Sequence, residues 1–301
     1  MRVGSRTSTL SVIQTEEILG RLRPRFPDRD FEVVLITTTG DRKKESPLLA
    51  LERGTFVKEI ELDLMEGKID IAVHSAKDLP STLPEGLTLA AIGRRLDPRD
   101  VLVDRWNLGM AALPAEARLG TSSPRRAAQI KAIRADVNVV PIRGNVDTRL
   151  EKVSGREYDG VVLAAAGLIR LGRESAVTEY LSLTSFTPEV GQGVLAVEAR
   201  EDDADTMAIL ATIDHQPSRV ALVAERAFLS ELGGGCKVPI TAYARMEAGE
   251  FLISAMAALP DGSQIFRREG VYQSDDPEGS GRRAAEDFMV SGARHIVDGA
   301  R

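Results

Sequence analysis

The chain has 301 residues, 43% of them hydrophobic, and a formal net charge of −6. That composition can build cores and excludes overall disorder, and at about 150 residues per domain it predicts two or three domains. One cysteine excludes a disulfide framework and a Cys-rich metal site, and the histidines at 74, 215 and 295 lack ligand spacing, so no metal is expected. No apolar run reaches the ~20 residues of a membrane helix, and Met1–Arg6 has no signal-like apolar stretch. These features read as a soluble cytoplasmic protein with no membrane partner. The acidic balance and 4% aromatic content also argue against nucleic acid as a partner. Among the 39 basic residues, 31 are Arg and 8 Lys, a bias toward the planar fork that grips carboxylates and phosphates.

The first hundred residues predict β-α-β-α-β. A strand begins at Arg2–Gly4, helical spacing covers Ser8–Leu22, and Phe31–Thr37 is a β-branched strand. The long polar stretch Thr38–Arg53 reads as a functional loop. Val57–Met65 predicts a helix stopped by Gly67, and Ile69–His74 an apolar strand, together a parallel sheet covered by helices. The middle repeats this grammar. A strand ends at Leu119–Gly120, Ser123-Pro124 opens a helix, Val137–Ile142 is a strand, Asn145 caps a helix through Leu150, and Val161–Ala165 is a buried strand. Val190–Glu198 reads as a glycine hinge feeding a strand. The last eighty residues follow a different pattern. They predict a helix at Ser218–Leu232, strands at Thr241–Arg245 and Phe251–Ala258, a hairpin turn at Pro260–Ser263 and a final helix at Ser280–Ser291.

Four polar or basic clusters fall just after strands, at the mouths of helices. They are Ser5–Ser8, Ser75–Asp78, Thr121–Arg126 and Arg143–Arg149. In an open α/β sheet, ligands bind beyond the carboxyl ends of strands, where helix N-termini favour anions. One such cluster alone reads as a cap with solvated arginines; four together imply a site for a polyanion. Asp78, beside Lys77, could stabilise a developing cation and exchange protons with a substrate nitrogen, although a turn-capping Asp before Pro80 is the plainer reading. His74 ends a buried strand and reads as a structural hydrogen-bonder. Cys236 follows three glycines and precedes Lys237, a setting suited to tethering a group, while a lone Cys is most often an inert core residue.

Several runs resemble one family in order: Phe56–Glu59, Ala72–Asp78, Asp97–Asp100, Gly120–Arg126, Arg143–Val146, Val190–Gly193, Ala224–Ala227 and Gly234–Pro239. The chain resembles the porphobilinogen deaminases, or hydroxymethylbilane synthases, from residue 2 to about residue 297. The resemblance implies an α/β protein with two periplasmic-binding-protein-like domains joined by a double-crossover hinge, plus a small C-terminal α/β domain. The implied boundaries are 1–93 with 194–211, then 99–189, and 216–301 carrying the cofactor cysteine. The implied activity is that of a deaminating transferase. It condenses four porphobilinogen molecules head to tail into the linear tetrapyrrole hydroxymethylbilane, releasing ammonia, in heme and porphyrin biosynthesis.

A dipyrromethane cofactor, joined by thioether to Cys236, would prime the chain. Asp78 would be the catalytic residue, bonding pyrrole N–H groups. Cofactor binding would fall to Ser75, Lys77, Asp78, Thr121, Ser122, Ser123, Arg125, Arg126, Arg143 and Gly144. Substrate binding would fall to Arg6, Ser8, Gln14, Arg149 and Arg170, with Arg53 and Phe56 in a lid. The family tendency is monomeric. Departures are local: residues 48–55 replace a lysine-bearing segment and are one residue shorter, Thr9 and Ala76 replace usual apolar residues, and Asp147 adds a negative charge beside Arg143–Arg149. A non-catalytic carboxylate-binding protein would share the arginines and hinge but gives no use for Gly235-Cys236-Lys237. A degenerate deaminase would keep every motif and lose turnover.

Overall fold

The computed structural model describes residues 1–39, 57–80, 82–233 and 239–299. Arg53, Phe56, most of the 38–53 loop and Cys236 lie outside the described residues. The chain divides into two compact units, Met1–Leu96 with Gly193–Arg219, and Asp97–Gln192 with Val220–Arg301. It therefore passes from one unit to the other after Leu96, returns at Gly193 and crosses again after Arg219.

The first unit is built on a five-stranded sheet. Its strands are β1 (Arg2–Arg6), β2 (Glu32–Ile36), β3 (Ile71–Ser75), β4 (Leu87–Ile92) and β10 (Leu195–Arg200), in the order β2-β1-β3-β10-β4. β1 runs parallel to β2 and β3, but β10 is antiparallel to both β3 and β4. The sheet is thus mixed where the alternating pattern predicts a parallel one. The reason lies in the returning chain, which enters the sheet from outside the βαβ series. The helix Thr9–Leu22 starts where Ser8 accepts a hydrogen bond from the Ser11 N–H. Its Ile18, Leu19 and Leu22 pack on Val3, Ile71, Val73, Leu195 and Val197. The opposite sheet face meets the helix Lys58–Met65 through Ile60 and Leu64.

The second unit holds β5 (Asp100–Asp104), β6 (Arg118–Gly120), β7 (Asn138–Val140), β8 (Gly160–Ala164) and β9 (Glu179–Tyr180) in the order β7-β6-β8-β5-β9. β6 is parallel to β7 and β8, whereas β5 is antiparallel to β8. This is the same mixed arrangement as in the first unit. Pro141 shortens β7 relative to the predicted 137–142 strand, since proline cannot donate to a ladder.

The unit also contains β11 (Ile240–Glu247), β12 (Glu250–Ala258) and β13 (Ile265–Tyr272), an antiparallel sheet joined by tight turns, one of them the predicted turn at Pro260–Ser263. Its core gathers Phe228 from the helix Gln216–Glu231, Phe251 and Ile253 from β12, and Phe288 from the helix Pro277–Phe288. That last helix starts earlier than the predicted Ser280, because Asp276 caps it by accepting from the Gly279 N–H and Pro277 fits its first turn. Gly281 is required there: a Cβ would sit 2.2 Å from the Ala224 carbonyl oxygen of the neighbouring helix.

Phe288 is fully buried, with ring centroids 5.6 Å from Phe228 and 5.3 Å from Phe266. We expect Phe288→Ala to cost about 3–5 kcal/mol, measured by denaturant unfolding. A loss under about 1 kcal/mol would show that this core collapses around the gap.

Candidate active site

In the first unit the polar clusters gather at the carboxyl ends of β1 and β3. Arg6 is the last residue of β1, and Ser8 follows as the cap of the helix Thr9–Leu22. Gln14, one turn into that helix and 6% exposed, donates from Nε2 to the Ser75 hydroxyl at 2.8 Å. The structure thus brings together two predicted binding residues 61 positions apart. After Ser75 the chain makes a single 3-10 turn, Ala76–Asp78, so Lys77 and Asp78 stand directly beyond the strand, both half-buried. The turn is pinned by the Ala76 N–H donating to the Val194 carbonyl, beside β10.

In the second unit β6 ends at Gly120 and leads into the polar loop. The Thr121 hydroxyl accepts from the Ser123 N–H, and the Ser122 hydroxyl both donates to the Ile142 carbonyl and accepts from the Ile142 N–H. Ser122 therefore fixes the loop as its hydroxyl is spent on the backbone. Ser123 caps the helix Pro124–Ile133, whose first turn carries Arg125 and Arg126. Both arginines are buried. Arg125 donates to Asp100 and to the Thr187 carbonyl, each at 2.7 Å, and to Glu189 at 3.1 Å. Arg126 donates to Asp100 at 2.9 Å and to the Val162 carbonyl at 3.0 Å. Gln192 completes the network by donating to Asp100 and to the Pro98 carbonyl.

Burial drives the Asp100 carboxyl upward, but Arg125 and Arg126 outweigh it and hold the group at about 2. Asp100, Glu189 and Gln192 belong to this network, and the sequence by itself suggests no role for them. A signal exists for two of the three, since Asp100 and Gln192 fall within runs that carry the family resemblance.

The fourth cluster is different. Gly144 adopts φ +109°, and a Cβ there would meet the Thr148 side chain at 2.6 Å. This bend lets Asn145 cap the helix Val146–Ser154 and lets Arg149 donate from Nε to the Gly144 carbonyl. The Arg143 guanidinium keeps a buried Nη2 with no hydrogen-bond partner among the described residues. Arg149 is brought down to about 10 by desolvation and then by the charges of Arg126 and Arg143. Asp147 turns to Arg173 at 3.3 Å, so its charge does not neutralise this pair. Arg170 ends the helix Ala165–Arg170, half-buried. No group of three or more potential ligating side chains that could hold a metal occurs among the described residues.

The porphobilinogen deaminase dipyromethane cofactor binding domain matches residues 1–208, and the porphobilinogen deaminase C-terminal domain matches residues 220–289. The chain belongs to the porphobilinogen deaminase family. It is an enzyme of that family, a hydroxymethylbilane synthase that polymerises porphobilinogen and carries a dipyrromethane cofactor. A porphobilinogen deaminase of Roseiflexus sp. (strain RS-1) is 46% identical over 99% of this chain and 98% of that protein. One of Alkaliphilus metalliredigens is 44% identical over 99% of this chain and 95% of that protein. Among solved structures, the periplasmic aliphatic sulphonate binding protein SsuA of Escherichia coli covers 76% of this chain and 69% of its own, at 12% identity and a TM-score of 0.43.

Asp100→Ala would leave two buried arginines short of their shared counter-charge, a loss expected to cost about 3–5 kcal/mol. The folded carboxyl lies below its ordinary 3.8, so its contribution is full above that value and disappears as pH falls toward about 2. The stability gap between wild type and Asp100→Ala, read by urea unfolding, should therefore narrow by roughly 2–3 kcal/mol between about pH 4 and pH 2. A gap that stays constant across that window would remove Asp100 ionisation from the network.

Proposed function

We propose that the polar clusters of the two units are the binding and acid–base groups of the tetrapyrrole-building reaction, with Asp78 as its catalytic carboxylate. The observation that carries this reading is the pair Arg143 and Arg149. These are adjacent half-buried cations that have no acid partner among the described residues and include one orphaned buried donor. Such a pair costs free energy unless a ligand brings negative charge to it. Each porphobilinogen-derived pyrrole carries an acetate and a propionate, so a dipyrromethane brings four carboxylates.

The donor set therefore fits the cofactor. Arg126, Arg143, Ser75 and Lys77 would hold its carboxylates, with Ser123 and the Gly144 bend shaping the approach and Arg149 beside Arg143 for incoming substrate. Thr121, Ser122 and Arg125 serve by fixing that loop and the Arg126 guanidinium. When bound by thioether to Cys236, the group supplies the pyrrole carbon at which chain growth starts. Arg6, Ser8, Gln14, Arg149 and Arg170 would take the carboxylates of incoming substrate, each charge-assisted bond contributing about 1.5–3 kcal/mol.

Asp78 would act as both charge and proton carrier. Loss of ammonia from porphobilinogen leaves the pyrrole electron-poor, and a carboxylate fixed beside its N–H stabilises that cation. Asp78 can give a proton to the departing amine and, after the carbon–carbon bond forms, take up the proton that must leave the ring carbon that was attacked. The 3-10 turn holds the carboxylate just past β3, while Lys77 keeps the surroundings cationic. Hydrolysis at the end of growth would use the same group. Separate domains at 1–93 with 194–211, 99–189 and 216–301, the last carrying Cys236, accord with the distinct sheets. The enzyme is taken to work as a monomer in the cytoplasm; no helix among the described residues is long and apolar enough to cross a membrane.

Asp78→Asn keeps the shape and removes the charge, and we expect at least a ~100-fold loss of turnover with the fold intact. Near-normal rates would take Asp78 out of the chemistry. Separately, the intact mass of the denatured protein should exceed the chain mass by two linked pyrrole units, and Cys236→Ser should lack that excess. An excess that persists in the variant would place the attachment elsewhere.

A further inference from the structure

Behind the Asp78 turn, on the sheet face away from Gln14, lies a group of ionisable side chains that the reaction described above does not use. His74 Nε2 lies 2.8 Å from a Glu198 carboxylate oxygen, with the two side chains 2% and 0% exposed. The contact is close but out of line for a hydrogen bond, and both Glu198 oxygens and the His74 Nε2 lack a hydrogen-bond partner among the described residues. Glu61, from the helix Lys58–Met65, is also buried, with its Oε1 unpartnered. Glu198 and His74 both act electrostatically on Glu61. β10 brings Glu198 there: it pairs antiparallel with β3, placing Ala196 opposite His74 and Leu195 opposite Ser75.

We propose that His74, Glu198 and Glu61 are positioning residues for the reaction, a buried acid–imidazole triad that anchors the end of β3 and so sets where Ser75 and Asp78 stand. The proposal rests on the reading of Asp78 as the catalytic carboxylate. An imidazole and two carboxylates are electrically neutral together only while they retain two protons. Removing one leaves a net negative charge on a face shared with Ile60, Leu64 and Ala72, where a lone charge is costly. Among the described residues, the charge of Lys58, at the start of the same helix, also acts on Glu61. Glu59 is occupied by the Thr39 N–H. Burial and then Glu198 push Glu61 up to about 6, so its proton is shed within the working range of an enzyme. His74 is one residue from Ser75 and four from Asp78, and the Ala76 N–H is tied to Val194, next to β10. A shift between β3 and β10 is therefore passed straight to the turn, and a displacement of about 1 Å at a catalytic group can cost ~100-fold in rate.

The test uses cofactor-loaded enzyme with porphobilinogen as substrate, reading kcat, KM and thermal midpoint from about pH 4.5 to 9. Glu198→Gln should lower kcat at least ~10-fold while KM moves less than ~2-fold, because the arginines that hold substrate carboxylates are untouched; Glu198→Asp should recover part of the loss. Glu61→Gln mimics the protonated acid. Protonated Glu61 stabilises the fold fully below its ordinary 4.5, and that contribution is lost as pH rises through about 6. Glu61→Gln should therefore match wild type near about pH 4.5 and melt about 2–4 °C higher at about pH 7. A loaded Glu198→Gln enzyme within ~2-fold of wild-type kcat at every pH would overturn the proposal. Should Glu198→Gln fail to fold, Glu198→Asp decides alone: a lowered kcat with KM within ~2-fold of wild type upholds the placement, and wild-type kcat overturns it. Failure of the Asp78 reading would show separately, as wild-type turnover in Asp78→Asn.

Discussion

The second unit depends on one buried acid. Two consecutive arginines in the first turn of a helix are an unfavourable arrangement, since the helix N-terminus already carries partial positive charge. Asp100 makes it tenable by accepting from both, while the Thr187 and Val162 carbonyls and Glu189 take further donors. The result fixes both guanidinium planes against β5 and β8. It also divides the cations of this unit into two kinds. Arg125 and Arg126 are neutralised by the protein, whereas Arg143 and Arg149, one loop away, have no acid of their own among the described residues. The first pair lends rigidity, and the second carries charge that no described acid answers.

The first unit reaches a comparable rigidity by other means. Asp78 sits on a single 3-10 turn, a weak element by itself. What steadies it is the strand that precedes it, held on one face by the Gln14–Ser75 bond and on the other by the His74–Glu198 contact. Backbone pairing with β10 joins the two. The chain has thus placed a polar anchor on each side of β3, one accessible to ligand chemistry and one sealed in the core.

Much of this is legible in the sequence where local chemistry decides. Ser123-Pro124 and Asn145 announce helix starts because a side chain or ring geometry acts within three residues; Asp276-Pro277 does so by the same chemistry, although the apolar spacing alone points to a later start at Ser280. Ser75–Asp78 and Arg143–Arg149 are recognisable as clusters for the same reason, and the ordered runs identify the family. What the sequence alone does not disclose is pairing at a distance. The strands Leu87–Ile92 and Asp100–Asp104 are short apolar runs that gain their meaning only from β10 and β8. The antiparallel insertion of β10 follows from a crossing of the chain, not from any alternation pattern. Asp100 looks like a turn residue after a proline until Arg125, 25 positions on, is brought against it. Glu198 likewise reads as an edge of a strand, and its burial follows from partners more than a hundred residues earlier.

The position of β10 in its sheet has a consequence for how the molecule is made. It lies between β3 and β4, yet it is translated about a hundred residues after them. A nascent chain that has produced only the first ninety-six residues therefore has β4 with no neighbour and β3 with an open edge. Those strands must remain unpaired, or be shielded, while the intervening segment is synthesised. Loop closure over such a separation is slow relative to local pairing, and exposed strand edges are where chains associate wrongly. The early part of the intervening segment, by contrast, can begin to pair within itself as it emerges. The half of the protein that is written first is thus the half that finishes later, and its Ser75–Asp78 turn takes shape only after β10 has been made.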